Sequence, residues 1–102
     1  MRVNSYENQN ELEDRSGAIL TGGVSQKMCD ARPGRMLVLI QNPSSGDLWF
    51  NFGLAATVGQ PSIRLAPGDV AIGSLVADGV LDPRQVNVIG ATAGQTFTCK
   101  EY

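Results

Sequence analysis

The stretch that decides the fold runs Arg35-Met36-Leu37-Val38-Leu39-Ile40-Gln41-Asn42, then Pro43-Ser44-Ser45-Gly46-Asp47, then Leu48-Trp49-Phe50-Asn51-Phe52. The first part is a short apolar run, of strand length and rich in β-branched and aliphatic residues. Its apolar residues are continuous rather than alternating, which predicts a central strand covered on both faces. Pro43 to Asp47 is a turn. In the second part side chains alternate across a strand, so Leu48, Phe50 and Phe52 share one face and Trp49 and Asn51 the other. The Phe face is the core candidate. Trp49 is left on the outside of the sheet or under a loop.

Working outward, the same grammar recurs. Val24 to Met28 alternates in outline, and Ala31-Arg32-Pro33-Gly34-Arg35 turns the chain, with Pro33 presetting φ and Gly34 supplying positive φ. Ser62 to Leu65 reads as a short strand with Ile63 and Leu65 inward. Ala66-Pro67-Gly68-Asp69 repeats the Pro-Gly turn, and Val70 and Ile72 point inward from the next strand. Gly73 to Arg84 is a loop or short edge element. Val86 to Gly90 and Gln95 to Lys100 make a final hairpin across Ala91-Thr92-Ala93-Gly94, with Phe97 and Cys99 facing in. From residue 18 onward no segment shows the spacing of a buried helix. About seven short strands separated by turn signals predict an all-β fold, a single small β-sandwich of jelly-roll-like form, over residues 18–102.

Residues 1–17 form a polar arm. They hold four apolar residues of any size, Met1, Val3, Tyr6 and Leu12, and the segment cannot bury a stripe of its own. Two readings stand: a frayed terminus, or an arm that orders against a neighbouring subunit. The arm also carries the charge imbalance. The chain has 8 basic and 10 acidic residues, and residues 1–16 set Arg2 and Arg15 against Glu7, Glu11, Glu13 and Asp14. The remainder is neutral.

Composition removes whole classes of function. A chain of 102 residues is one domain. With a net charge of −2 it lacks the concentrated positive field that nucleic acid requires. No run approaches the roughly 18 apolar residues of a membrane-spanning helix. There is no histidine, so Ser-His-Asp and Cys-His nucleophile systems and His-containing zinc sites are out. Two cysteines cannot build a four-cysteine zinc site. Residues 1–16 contain no apolar core of a secretory signal, so a cytoplasmic origin with reduced Cys29 and Cys99 is expected. A disulfide between them requires neighbouring strands.

The candidate chemistry is correspondingly thin. Asp30, Asp47, Asp69, Asp78 and Asp82 all fall in or beside turns, where Asp accepts hydrogen bonds from backbone amides. Gly22-Gly23 and Gly53 to Gly59 lack the Gly-Lys-Ser/Thr of a phosphate loop and read as loop hinges. No catalytic, metal-binding or cofactor-binding residues are assigned, and no enzyme activity is expected. As contact residues, the reading selects Tyr6 and Leu12 on the arm, Arg32 and Arg35 flanking one turn, and the outward Trp49. For the arginines the alternative is an ordinary salt-bridged surface. For Trp49 it is a cap by the Gly53–Gln60 loop.

Three segments, Ala31 to Gly53, Gln60 to Asp69 and Val86 to Glu101, together resemble small β-rich virion proteins of tailed bacteriophages, similar in outline to capsid decoration, or cement, proteins. The order that carries the resemblance is a strand ending in Gln41-Asn42, a Ser-rich turn, an aromatic strand ending in Gly53, a loop, and a short strand into Pro67-Gly68. It covers about residues 20–102 and leaves the arm outside. The resemblance implies a structural protein made in the host cytoplasm and carried on the capsid exterior, bound to the major capsid protein and to other copies of itself. A tail, fibre or head-fibre module is the alternative it leaves open.

Overall fold

The computed structural model of the chain describes residues 12–102. It is all-β, with two antiparallel sheets packed face to face around one core. The strands are β1 (Glu13–Asp14), β2 (Gly17–Ala18), β3 (Gln26–Cys29), β4 (Leu37–Gln41), β5 (Leu48–Phe52), β6 (Ile63–Leu65), β7 (Val70–Ser74), β8 (Val86–Gly90) and β9 (Thr96–Glu101), with one helical turn, α1 (Leu75–Asp78), after β7. The first sheet runs β1-β9-β4-β7, with β2 also on β9, and the second runs β3-β8-β5-β6.

The core lies between the sheets. Val38 and Ile40 of β4, Leu48 and Phe50 of β5, Leu65, Val86, Val88, Phe97, Cys29 and Cys99 are all buried there, together with Ile19 and Met28. The β5 alternation is as expected: Leu48 and Phe50 are buried and Phe52 packs on the core, meeting Phe50 edge-on with ring centroids 6.0 Å apart. Both Pro-Gly turns form, with φ of 82° at Gly34 and 86° at Gly68, a backbone region where only glycine is free of strain. Each is closed by a backbone bond, Arg35 to Arg32 at 3.0 Å and Asp69 to Ala66 at 2.9 Å.

Four expectations need correction. β4 is central in its sheet, but only one face is covered by the core; Leu37 and Leu39 are half-buried on the other. β8 and β9 are not a hairpin, because they belong to different sheets. The place beside the start of β9 is taken by β2 and the residue after it: Ile19 bonds Gln95 at 2.8 Å and Gly94 bonds Ile19 at 2.8 Å. The segment that makes this crossing passes so close to the 91–94 turn that a Cβ on Gly22 would lie 2.2 Å from the Ala91 carbonyl oxygen. Val70 and Ile72 face outward. The register Ile40 to Ala71 and Val38 to Gly73 puts the small residues of β7 on the core side, where Leu81 lies over Gly73. Ile63 keeps the inward phase of Phe50, its partner, but at an edge that leaves it half exposed.

The first sheet begins earlier than the arm boundary drawn from sequence. Glu13 and Asp14 pair with Glu101 and Lys100, and Arg15 donates its backbone N–H to Cys99 at 2.7 Å. Main-chain hydrogen bonding to a bare strand edge requires no apolar side chains, so the polarity of residues 13–17 conceals it.

Candidate functional site

The two sides of the sandwich are built differently. On one side the sheets are stitched. The Gln26 side chain, on β3, donates to the Ala18 carbonyl at 3.0 Å and accepts from the Leu20 amide at 2.8 Å, joining β3 to the chain leaving β2. On the other side, β6 ends the second sheet and β7 ends the first, and the Ala66–Asp69 turn leads from one to the other. One end of this side is held by Asn42, which is fully buried. Its side chain donates to the carbonyls of Leu65 and Gly46, each at 2.8 Å, and its backbone bonds Asp69 and Gly68.

Beyond that clasp the sandwich is open. A groove of about 270 Å³ lies between β6 and β7, with Val38, Ile40, Phe50 and Phe52 on its core side and the exposed Ile63, Ile72 and Val80 among its lining. The rim is exposed: Ile63 is 50%, Ile72 61% and Val80 76% accessible, and Val70 beside them on β7 is 50% accessible. Apolar side chains therefore meet two strand edges that are unpaired among the described residues. This arrangement favours burial against another protein and addition of a strand.

The residues singled out from sequence are scattered elsewhere. Tyr6 lies outside the described residues. Leu12 is exposed, just before β1. Arg35 is not a surface group; its side chain is 0% exposed and this removes it from any contact surface. Its Nε donates to Glu101 at 2.9 Å, Nη1 to the carbonyls of Asp82 and Arg84 at 2.8 and 2.9 Å, and Nη2 to the Asp30 carbonyl at 2.9 Å and the Cys29 sulfur at 3.6 Å. Arg32 joins the same cluster, with Nη1 3.5 Å from Glu13 and 3.7 Å from Glu101. Arg15 completes it, donating to Glu101 at 3.0 Å and to Glu13 at 2.8 Å. Burial opposes the charge on Glu101, but the hydrogen bonds from Arg15 and Arg35 and the nearby positive charges outweigh it, holding this carboxyl below the ordinary glutamate range. The turn arginines are thus a structural ion cluster.

Trp49 is half-buried on the outer face of the second sheet, opposite Arg64 and Ile89. The loop after β5 folds over this face. Ala56 is buried and bonds Ser25, and Asn87 on β8 donates to the Leu54 carbonyl at 2.7 Å. Trp49 borders a depression of about 570 Å³ with Val58, Asp47, Thr92 and Gln95. Its polar groups are engaged: Asp47 pairs with Arg64 at 3.0 Å, and Gln95 bonds Thr92, Ser44 and the Asp47 carbonyl.

Of the other turn carboxylates, Asp30 pairs with the Lys27 side chain at 2.7 Å and not with a backbone amide, and three have the local role expected. Asp69 accepts from the Ala66 amide at 2.9 Å, Asp78 from Ser74 at 3.1 Å and Asp82 from Arg84 at 2.9 Å. Among the described residues no three His, Cys, Asp or Glu side chains cluster as metal ligands, and no helix is long and apolar enough to cross a membrane. No protein-family model matches the chain, and searches of curated proteins and of solved structures give no match either.

Proposed function

We propose that this chain is a structural protein of a tailed-phage particle, a capsid decoration protein that attaches through the open β6/β7 side of its sandwich. The observation that carries the attachment is the exposed apolar rim of Ile63, Ile72 and Val80, with exposed Val70 beside it on β7, where two strand edges are free among the described residues. The resemblance of residues 20–102 to small phage virion proteins supplies the setting. In that setting the partners are the major capsid protein and neighbouring copies on the head exterior, and the work is mechanical: bridging capsomers against the pressure of packaged genome. Each single contact is small. Repetition over a lattice raises the effective concentration of every further link, so modest edges hold firmly.

The test is binding to heads of the parent phage stripped of this protein. Wild-type chain co-sediments with the heads. Ile72→Lys places a charge on an exposed strand and leaves the fold intact, yet abolishes co-sedimentation. Equal binding by the variant overturns the assignment of the edge. Recovery of the protein only in the tail fraction overturns the assignment to the head and favours the fibre alternative.

A further inference from the structure

The ion cluster adjoins a pair of cysteines that the proposed attachment does not use. Cys29 ends β3 in the second sheet and Cys99 lies on β9 in the first, and both are free thiols buried in the same core cluster. Cys99 and Glu101 share the inner face of β9. Arg35 spans the gap, with Nε 2.9 Å from Glu101 and Nη2 3.6 Å from the Cys29 sulfur. The two thiols thus enter the same core cluster from opposite sheets, with the Arg35 guanidinium linking the Cys29 sulfur to the face of β9 that carries Cys99. The two strands are not paired neighbours in one sheet, which the sequence reading took as the condition for a bridge; they face each other across the core, the placement of the inter-sheet bridge in antibody domains.

We propose that Cys29 and Cys99 are an oxidation site, closing an inter-sheet disulfide in which Cys29 is the attacking sulfur and Cys99 the resolving one. The roles follow from the surroundings. Cys29 ends an edge strand with the Arg35 guanidinium 3.6 Å from its sulfur, whereas Cys99 is fully buried on β9, flanked by β4 on one side and by β1 and β2 on the other. Access follows from position. β3 is the edge strand of its sheet, and its register with β8 breaks between Lys27 and Cys29. Local fraying of an edge strand at such an irregularity uncovers Cys29 while the rest of the sandwich stays folded.

The oxidant is a small-molecule disulfide of the glutathione class. The Cys29 thiolate, having lost its proton to solvent, attacks one sulfur and expels the first small thiolate. Cys99 then gives up its proton and attacks the Cys29 sulfur of the mixed disulfide, expelling the second. One S–S bond is formed in the protein and one is broken in the oxidant, which is reduced by two electrons and leaves as two thiols. The bridge ties residues 70 positions apart (99 − 29) and pins an edge strand to the opposite sheet.

The experiment equilibrates the native full chain with glutathione disulfide and reads intact mass, alkylatable thiols after denaturation, and melting temperature. Expected are a loss of about 2 Da, a fall from two thiols to none, and a rise of at least about 10 °C in Tm that dithiothreitol reverses. Two persisting thiols, a stable glutathione adduct or a disulfide-linked dimer overturns the proposal. Cys99→Ala stops at a single glutathione adduct, formed at least about tenfold faster than the adduct on Cys29→Ala, because only Cys29 sits on an edge strand that opens locally. Equal rates overturn the assignment of roles. The wild-type mass and thiol count decide the bridge itself even where a variant fails to fold.

Discussion

Replacing Arg35 by Met is the most searching perturbation of the fold. Methionine fills much of the volume of the side chain but donates nothing. The substitution strands the carbonyls of Asp30, Asp82 and Arg84, each now bonded at 2.8–2.9 Å, and removes one of the two close donors to Glu101. A buried acceptor left unpaired costs about 1–3 kcal/mol, and breaking a buried ion pair by deleting one partner costs about 3–5 kcal/mol. These penalties overlap, because Glu101 keeps Arg15 at 3.0 Å and water reaches part of the cluster. The expected loss is therefore about 3–5 kcal/mol, a large share of the roughly 5–15 kcal/mol that holds a domain together. In equilibrium urea unfolding this lowers the midpoint by about 2 M. Arg35→Lys keeps the charge but not the planar fork, and falls between wild type and Met. The double variant Arg35→Met with Glu101→Met is less destabilised than the two single losses added together, since it removes both charges at once. A shift below about 1 kcal/mol for Arg35→Met, or strict additivity in the double variant, refutes the cluster as a tie between the sheets.

Three further outcomes follow from particular contacts. Glu101 titrates below its ordinary range in the fold, so its stabilisation is complete above the unfolded glutamate value and drains as pH falls through the lower folded value; urea midpoints from pH 7 to pH 3 show this slope, and Glu101→Gln flattens it. Gly22→Ala sets a Cβ 2.2 Å from the Ala91 carbonyl oxygen, and the backbone on both sides must move; a loss of about 1–3 kcal/mol is expected in thermal unfolding, and no change would mean the approach is slack. Trp49→Ala uncovers part of the outer face of the second sheet and costs about 1–2 kcal/mol, but leaves head binding unchanged because Trp49 is on that outer face, opposite Arg64 of β6, and does not line the groove; loss of binding in a folded Trp49→Ala protein moves the contact to the outer face.

Much of the strand and turn layout was legible because it rests on local physics. Pro33-Gly34 and Pro67-Gly68 can hardly do anything but turn, and the alternation through Leu48, Phe50 and Phe52 has one reading once a core exists. What local pattern does not encode is which sheet a strand joins. Val86–Gly90 and Thr96–Glu101 look like a hairpin because four turn residues separate Gly90 and Gln95, and nothing near them announces that Gly17–Ala18 takes the pairing position. The phase of β7 was misread for a related reason. Val70 and Ile72 are the larger residues, and the larger set usually faces in. Here Ala71 and Gly73 face in because Leu81, arriving from a later loop, needs the room. Arg35 was the least legible of all. A charged residue beside a turn reads as surface, and its partner Glu101 is 66 positions away. The one sequence signal for the open β6/β7 side is indirect: a strand, Ile63–Leu65, too short to cover what lies behind it.

The proposed seating of this domain's open edge in a shell is tested most directly by a density map of the parent virion. It predicts a two-sheet β-domain repeated over the head exterior, with β7 against the major capsid protein or a neighbouring copy and Ile72 covered. Heads bare of such density, or copies seated with the β6/β7 groove facing solvent, contradict it.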